Sequence, residues 1–312
     1  MDTVAVVMQE PGCVELNRLG LEASSSEDLV VDVAYSGIST GTERLLWQGK
    51  MPPFPGMGYP LVPGYETVGV VREAPEALQH RVGEFVFVSG ARCYGDVRGL
   101  FGGAASRLIT PPEKAFAIPG EWGEQGVLIA LAATAHHAAF SGNAIPEVVV
   151  GHGVLGRLIA RVIVAAGAPA PVVWETNATR RAGDTDYLVM DPADDSRTDY
   201  RTICDASGDQ SAINSLIARL AHRGELVLAG FYAGDVAFNF PMAFMTEARL
   251  TVAAEWAEED LIAVTDMVRD GRLSLDGLIT HRLSATDADD AYRIAFDDAD
   301  CLKMILDWRD TE

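Results

Sequence analysis

The chain has 312 residues, 48% of them hydrophobic, enough for two packed cores, and a formal net charge of −21. That charge leaves no clustered Lys and Arg to neutralise phosphates, which excludes nucleic acid as an expected partner. No apolar run approaches the ~20 residues of a membrane span. The first residues carry neither a basic flank nor a small-residue cleavage site, so a cytoplasmic protein without an integral membrane segment is expected.

Taken in chain order, residues 1–122 read as a β-rich domain. Short apolar runs at residues 4–7, 29–34, 66–71, 83–88 and 105–110 are strand-like and are separated by Gly and Pro turns. Between them, residues 51–64 carry five prolines, a density that predicts an irregular loop and neither a helix nor an inner strand. That loop, with Trp47, Met51, Phe54, Met57 and Tyr59, is an apolar surface whose plain reading is packing on its own domain or on a second copy. From residue 123 to about 262 the pattern changes. A helical stretch at 125–140 leads into six apolar strands (VVVG, PVVWE, DYLVMD, TICDASG, GELVLAGF, LTVAAEW) with intervening helices. That alternation predicts an α/β fold with a doubly wound parallel sheet. A third segment, 263–312, continues the helix at 261–271 and adds a strand at 278–283, a helix at 287–296 and a closing strand at 302–306; its expected place is back on the first domain. Acidic runs at 255–260 and 287–290 read as solvated helix surface.

The most informative motif lies at residues 147–156, EVVVGHGVLG, where a strand runs into Gly-x-Gly-x-x-Gly and then a helix. Strand, turn and helix in this order form a dinucleotide-binding unit. Gly151 permits the turn, Gly153 lets backbone approach a pyrophosphate, and Gly156 lets the helix pack close. His152, Val154 and Leu155 complete the turn, and the helix amino terminus faces the phosphates. Glu175 closes the next strand 24 residues after Gly151, placed to accept hydrogen bonds from ribose hydroxyls and to repel a 2′-phosphate, which favours NAD over NADP. The nearby Arg180 and Arg181 weigh in the other direction. Ser207 and Gly230 end later strands at the edge where dinucleotides lie.

Cys13, Cys93, Cys204 and Cys301 are scattered, with no Cys-x-x-Cys and no histidine at ligand spacing. Reduced thiols and no metal site are expected. His136 and His137 read as packing histidines of the helix before the glycine turn.

Several stretches together resemble the medium-chain dehydrogenase/reductase superfamily over nearly the whole chain. They are Ser36-Gly37-Ile38-Ser39 with Glu43, then Val62-Pro63-Gly64-Tyr65-Glu66, Gly102-Gly103-Ala104-Ala105, Thr134, the glycine turn, and Leu278-Ile279-Thr280-His281-Arg282. The resemblance implies a GroES-like catalytic domain followed by a Rossmann domain. It also implies that zinc-dependent members place ligands where this chain has Ser39, Tyr65 and an apolar residue near Leu131 or Ala132. Those side chains are not the N/S set that Zn²⁺ takes, so a zinc-free member is expected. Within the superfamily, residues 36–66, 100–110 and 148–161 resemble the bacteriochlorophyllide a dehydrogenases of bacteriochlorophyll biosynthesis. That resemblance implies NAD-dependent oxidation of a C3 1-hydroxyethyl group on a tetrapyrrole to acetyl, and makes the aromatic loop around Trp47–Tyr59 a candidate substrate surface. It further implies Thr40 and Thr134 as cofactor contacts, and a possible homodimer formed at a sheet edge.

Without a metal, a side chain must manage the proton and the charge on the reacting oxygen. Tyr65 is the first candidate, provided that its neighbours lower its pKa from near 10; an aromatic filler of the vacated ligand position is the alternative. Glu66 is a candidate base or orienting group, and Ser39 and Thr42 are candidate relays. Two other functions remain open on the residues alone: a zinc-free quinone or enoyl reductase using NADPH, and a non-catalytic nucleotide-gated pigment carrier.

Overall fold

In the computed structural model, residues 1–23 and 25–311 are described. Short strands dominate the first third: β1 (Asp2–Glu10), β2 (Cys13–Gly20), β3 (Leu29–Ile38), β4 (Leu61–Val62), β5 (Thr67–Glu73), β6 (Phe85–Val88), β7 (Arg98–Gly99), β8 (Arg107–Thr110) and β9 (Ala115–Ala117). Helix α1 (Thr42–Trp47) follows β3, and α2 (Ile129–Phe140) leaves this region. Strand and helix then alternate: β10 (Val148–Val150), α3 (Val154–Ala165), β11 (Val172–Trp174), α4 (Ala178–Arg181), β12 (Val189–Met190), β13 (Tyr200–Asp205), α5 (Ile213–Ile217), β14 (Leu220–Leu228), α6 (Phe240–Thr246) and β15 (Arg249–Val252). The chain finishes with α7 (Glu258–Arg269), β16 (His281–Ser284), α8 (Ala288–Asp297) and β17 (Met304–Asp307).

Two units result, Met1–Ala130 with Asp276–Glu312, and Leu131–Leu275. In the second, the strand order is β12-β11-β10-β13-β14-β15 and every pairing is parallel. The order reverses beside β10, the central strand, whose unbroken Val-Val-Val suits a strand covered on both faces. Helix α3 buries Val154, Leu158, Ile159, Val162 and Ile163, an i, i+4 stripe that seats it on the sheet. Its third turn glycine is sterically fixed: a Cβ on Gly156 would lie 1.9 Å from the Gly151 carbonyl oxygen. The doubly wound parallel sheet is therefore present as the alternating pattern predicts.

The first unit carries a four-stranded sheet, β2-β1-β4-β7, and a seven-stranded one, β16-β17-β3-β5-β6-β9 with β8 on β3. Strand β17 pairs antiparallel to β3, Met304 opposite Ile38 and Leu306 opposite Ser36, so the last apolar run is part of this unit's core.

Two expectations are corrected here, and one open reading is decided. The proline-rich segment does contain an inner strand, β4, which lies between β1 and β7. Pro60 and Pro63 flank it because proline lacks only a donor; their carbonyls accept from Arg98 and Ala104. Secondly, the aromatic loop is mostly spent on its own domain. Met51 is core, Trp47, Met57 and Tyr59 pack against that core, and only Phe54 is exposed. The Tyr59 hydroxyl donates to the Leu46 carbonyl, and Trp47 stacks against Phe296 at 5.6 Å. Finally, the acidic run at 255–260 is not wholly solvated, since Asp260 is buried. It accepts from Nδ1 of His136 (2.6 Å) and of His137 (2.8 Å) and from the Ala257 amide, tying α2 to the start of α7.

Candidate active site

In the second unit, the β10–α3 turn is built for backbone contact with a ligand. Gly153 is the N-cap of α3, no side chain caps the helix, and a Cβ on Gly153 would meet nothing within 4 Å. The first-turn amides of any helix lack partners within it, so this terminus is a donor set facing open space. Val154 is buried under the turn and Leu155 is partly exposed. Across the sheet edge, Ser207 lies against Gly151, where a Cβ would come within 3.3 Å of its Cα. Gly230, after β14, packs as closely on Gly208. Thr134 lies half-buried in α2, within this unit, whereas Thr40 belongs to the first unit, just ahead of α1.

Glu175 ends β11 with both oxygens in use: Oε2 accepts from the His152 amide at 2.9 Å and Oε1 from the Asn177 amide at 2.8 Å. It is buried, at 9% exposure. His152 points its ring away from the turn opening. Nδ1 donates to the Arg180 carbonyl (2.7 Å) and Nε2 accepts from the Tyr187 hydroxyl (3.0 Å). Burial lowers this imidazole to about 4, so it is neutral at pH 7. Its contribution to the turn is thus through its backbone; the ring clamps the loop after β11. Arg181 spans the Glu175 and Thr176 carbonyls and the Asp191 carboxylate at 3.0 Å.

In the first unit, Tyr65 and Ser39 come together as the resemblance implies, with Tyr65 Oη and Ser39 Oγ 2.8 Å apart. The Tyr65 ring is partly exposed, while Ser39 is buried. Thr42, half-buried at the start of α1, is near enough to the phenol to favour its ionised form. The condition for Tyr65 to act as a simple base, a lowered pKa, is not met. Burial of the hydroxyl raises it well above the ordinary phenol value, the neighbouring Glu66 and Glu43 charges raise it further, and Ser39 and Thr42 only partly offset this. At neutral pH Tyr65 is a phenol.

Glu66, also singled out in the sequence, is fully buried and sits in an ion pair: Lys303 Nζ is 2.5 Å from Oε2 and donates also to the Ile38 carbonyl. Its Oε1 is buried without a partner. The carboxylate lies directly over Gly37, where a Cβ would come within 2.3 Å of Oε2, so only glycine fits that point of β3.

Sequence reasoning missed Lys303, and it assigned no role to Glu43 or Tyr292. Glu43 is buried in α1; its Oε1 accepts from the Ser39 amide (3.0 Å) and its Oε2 from the Tyr292 hydroxyl of α8 (2.6 Å). Burial pushes this carboxyl up to about 7, against the lowering bonds from Tyr292 and Ser39. Lys303 had a signal: one ammonium in the apolar run Cys301-Leu302-Lys303-Met304-Ile305-Leu306 is out of place unless paired. Nothing local marks its partner, 237 residues away.

Two relatives align end to end with this chain. A 2-desacetyl-2-hydroxyethyl bacteriochlorophyllide A dehydrogenase of Rhodobacter capsulatus is 54% identical over 314 residues, covering 100% of both chains. The protein of the same name from Cereibacter sphaeroides is 53% identical over 317 residues, again covering both completely. The chain belongs to this dehydrogenase family. Residues 25–120 match the alcohol dehydrogenase GroES-like domain, which accounts for most of the β-rich first unit. Among solved structures, an Escherichia coli alcohol dehydrogenase complexed with NADH superposes with a TM-score of 0.83 at 20% identity, over 98% of this chain and 99% of that one. A Sinorhizobium meliloti protein described as a zinc-binding dehydrogenase, bound to NADP, gives 0.82 at 21% identity, over 98% and 99%. At these identities the likeness concerns the fold, which is that of the medium-chain dehydrogenases. Among the described residues, no three His, Cys, Asp or Glu side chains cluster to hold a metal ion, and the four cysteines are free. No helix among them is long and apolar enough to cross a membrane.

Proposed function

We propose that this protein oxidises the 1-hydroxyethyl group at C3 of a bacteriochlorophyllide precursor to acetyl, with NAD as acceptor and without zinc. The observation that carries the reading is the end-to-end identity above 50% with two relatives named for that reaction. A nicotinamide dinucleotide supplies the hydride acceptor when bound. On this chain its diphosphate would lie on the Gly151–Gly156 turn and the α3 terminus, with Ser207, Gly230, Thr134 and Thr40 as further contacts. Glu175 supports NAD over NADP: a buried carboxylate held at the end of β11 repels a 2′-phosphate, and Arg181 is committed to Asp191.

The chain's own chemistry centres on Tyr65. The neutral phenol accepts the hydrogen bond of the substrate hydroxyl, its own O–H directed at its hydroxyl partners; the proton it gains then bonds the reacting oxygen and stabilises the charge that develops there. As the substrate proton leaves, Tyr65 Oη takes it while passing its own proton on through its hydroxyl partners. Such a relay never ionises the phenol, so a raised pKa does not prevent it. Ser39 fixes the phenol, and Thr42, partly exposed, is the exit to water. Glu66 acts by charge and by holding Lys303, not as the proton acceptor.

The phenol reading is tested by Tyr65→Phe, which is expected to cut turnover of a hydroxyethyl chlorin by about 10²-fold while NADH binding is retained. Unchanged turnover removes Tyr65 from the mechanism. Binding of NADH without turnover in the parent protein would favour a pigment carrier, and a strong NADPH preference a reductase. Glu175→Ala is expected to weaken NAD and leave NADP unaffected.

A second copy of the chain is the proposed partner, meeting at β15. That strand ends the parallel sheet, with Val252 73% exposed, and α6 beside it exposes Phe240, Phe244 and Met245. Large apolar side chains exposed side by side favour such an interface. Phe244→Asp should shift a sedimenting dimer to monomer; a parent protein that sediments as a monomer refutes it.

A further inference from the structure

Below the Tyr65–Ser39 pair lies a second layer that the proposed chemistry leaves unused. Glu43 spans it: one carboxylate oxygen holds the Ser39 amide and the other the Tyr292 hydroxyl. The groups around it come from every neighbouring element. Glu66 and Tyr65 precede β5, Lys303 precedes β17, and Tyr292 belongs to α8; all but the Tyr65 ring are fully buried. Two carboxyls therefore share one ammonium, which bonds Glu66 and the Ile38 carbonyl but not Glu43. Like charges in such surroundings favour keeping one of the two acids protonated.

We infer that Glu43 is a positioning residue for the dehydrogenase reaction, fixing Ser39 against Tyr65 and setting, by its protonation, how readily negative charge develops at the substrate oxygen bound to the phenol. This rests on the assignment of Tyr65 above. The direction follows from the charges. An ionised Glu43 opposes negative charge at Tyr65, as its effect on the phenol already indicates. The protonated form is then the more active one. Since burial brings this carboxyl to about 7, activity falls as pH rises through that region. The loss levels off at a plateau, because Glu43 modulates the site without exchanging protons with substrate.

The experiment is the pH profile of kcat/KM, from pH 5.5 to 9, for the parent protein and for Glu43→Gln, Tyr292→Phe and Tyr65→Phe, with a hydroxyethyl chlorin and NAD. The parent should fall about threefold or more through an inflection near pH 7. Glu43→Gln keeps an acceptor for the Ser39 amide and stays neutral, so it should hold the low-pH value and lose the inflection. Tyr292→Phe removes a bond that favours the ionised acid and should move the inflection to higher pH. A merely structural role predicts lowered activity with the inflection unmoved in both variants, and that result overturns the inference. Infrared difference spectra give a readout independent of turnover: a buried protonated-carboxyl band should titrate near pH 7 in the parent and be missing in Glu43→Gln. Its persistence in the folded variant is equally fatal. Tyr65→Phe separates the two layers. Full activity there defeats the phenol assignment, whereas lost activity with an unmoved Glu43→Gln inflection defeats only the inference about Glu43.

Discussion

The two units bury their acids in different ways. In the parallel-sheet unit, Glu175, Asp205, Glu225 and Asp260 each have their own donors on both oxygens, largely amides and hydroxyls close by in the fold. These carboxylates pin loops and helix ends. In the GroES-like unit, Glu43 and Glu66 lie close enough to affect one another and have one ammonium between them, and an oxygen of Glu66 has no partner at all. A fully satisfied acid is a structural fixture, whereas an under-compensated pair is poised to change protonation. The contrast supports the proposed chemistry in the first unit where residue type alone does not, because the second unit holds more buried acids than the first.

Three perturbations test that contrast, beginning with the largest effect. Lys303→Met strips the only cation from the pair and leaves Glu66 buried and uncompensated, a loss of about 3–5 kcal/mol. Denaturant unfolding should register it, and adding Glu66→Leu should recover most of it; a double variant as unstable as the single would show that the ion pair is not the cause. The second perturbation is protonation. A carboxyl whose folded pKa is raised to about 7 prefers the acid form in the folded state, so its burial costs nothing below the unfolded value near 4.5 and progressively more as pH rises to 7. Glu43→Gln removes that cost, and should be more stable than the parent by on the order of 2 kcal/mol at pH 8 and by nothing at pH 4. A difference independent of pH would contradict it. The smallest effect belongs to the satisfied acids. Asp260→Asn should cost about 1–2 kcal/mol through the α7 amide and the two histidines, with kcat unchanged across pH. A shifted pH profile in that variant would erase the distinction between the units.

What was legible in the sequence follows from the same division. The glycine turn, the strand before it and Glu175 are a local code, in which each residue's role is set by neighbours within about thirty positions. Tyr65 and Ser39 were legible as a departure from a ligand pattern, but their mutual contact and the direction of the phenol's pKa were not. The second layer was beyond reach, since Glu43 meets Tyr292 across 249 positions and Glu66 meets Lys303 across 237. The Trp47–Tyr59 loop was legible from composition, whose plain reading was packing on its own domain; it was the resemblance that made the loop a candidate substrate surface, and only Phe54 of it is exposed. His152 was placed correctly in the turn, yet only the coordinates reveal that its ring turns to Arg180 and Tyr187.

The pairing of β17 with β3 has an implication for biosynthesis. Until residue 303 has left the ribosome, Glu66 has no counter-charge and the sheet that carries Ser39 lacks a neighbour on that side. A nascent or prematurely terminated polypeptide therefore holds an unneutralised acid in its interior, which disfavours closure of the whole first unit. Synthesis must pass residue 303 before the sheet carrying Ser39 gains that neighbour and Glu66 its ammonium.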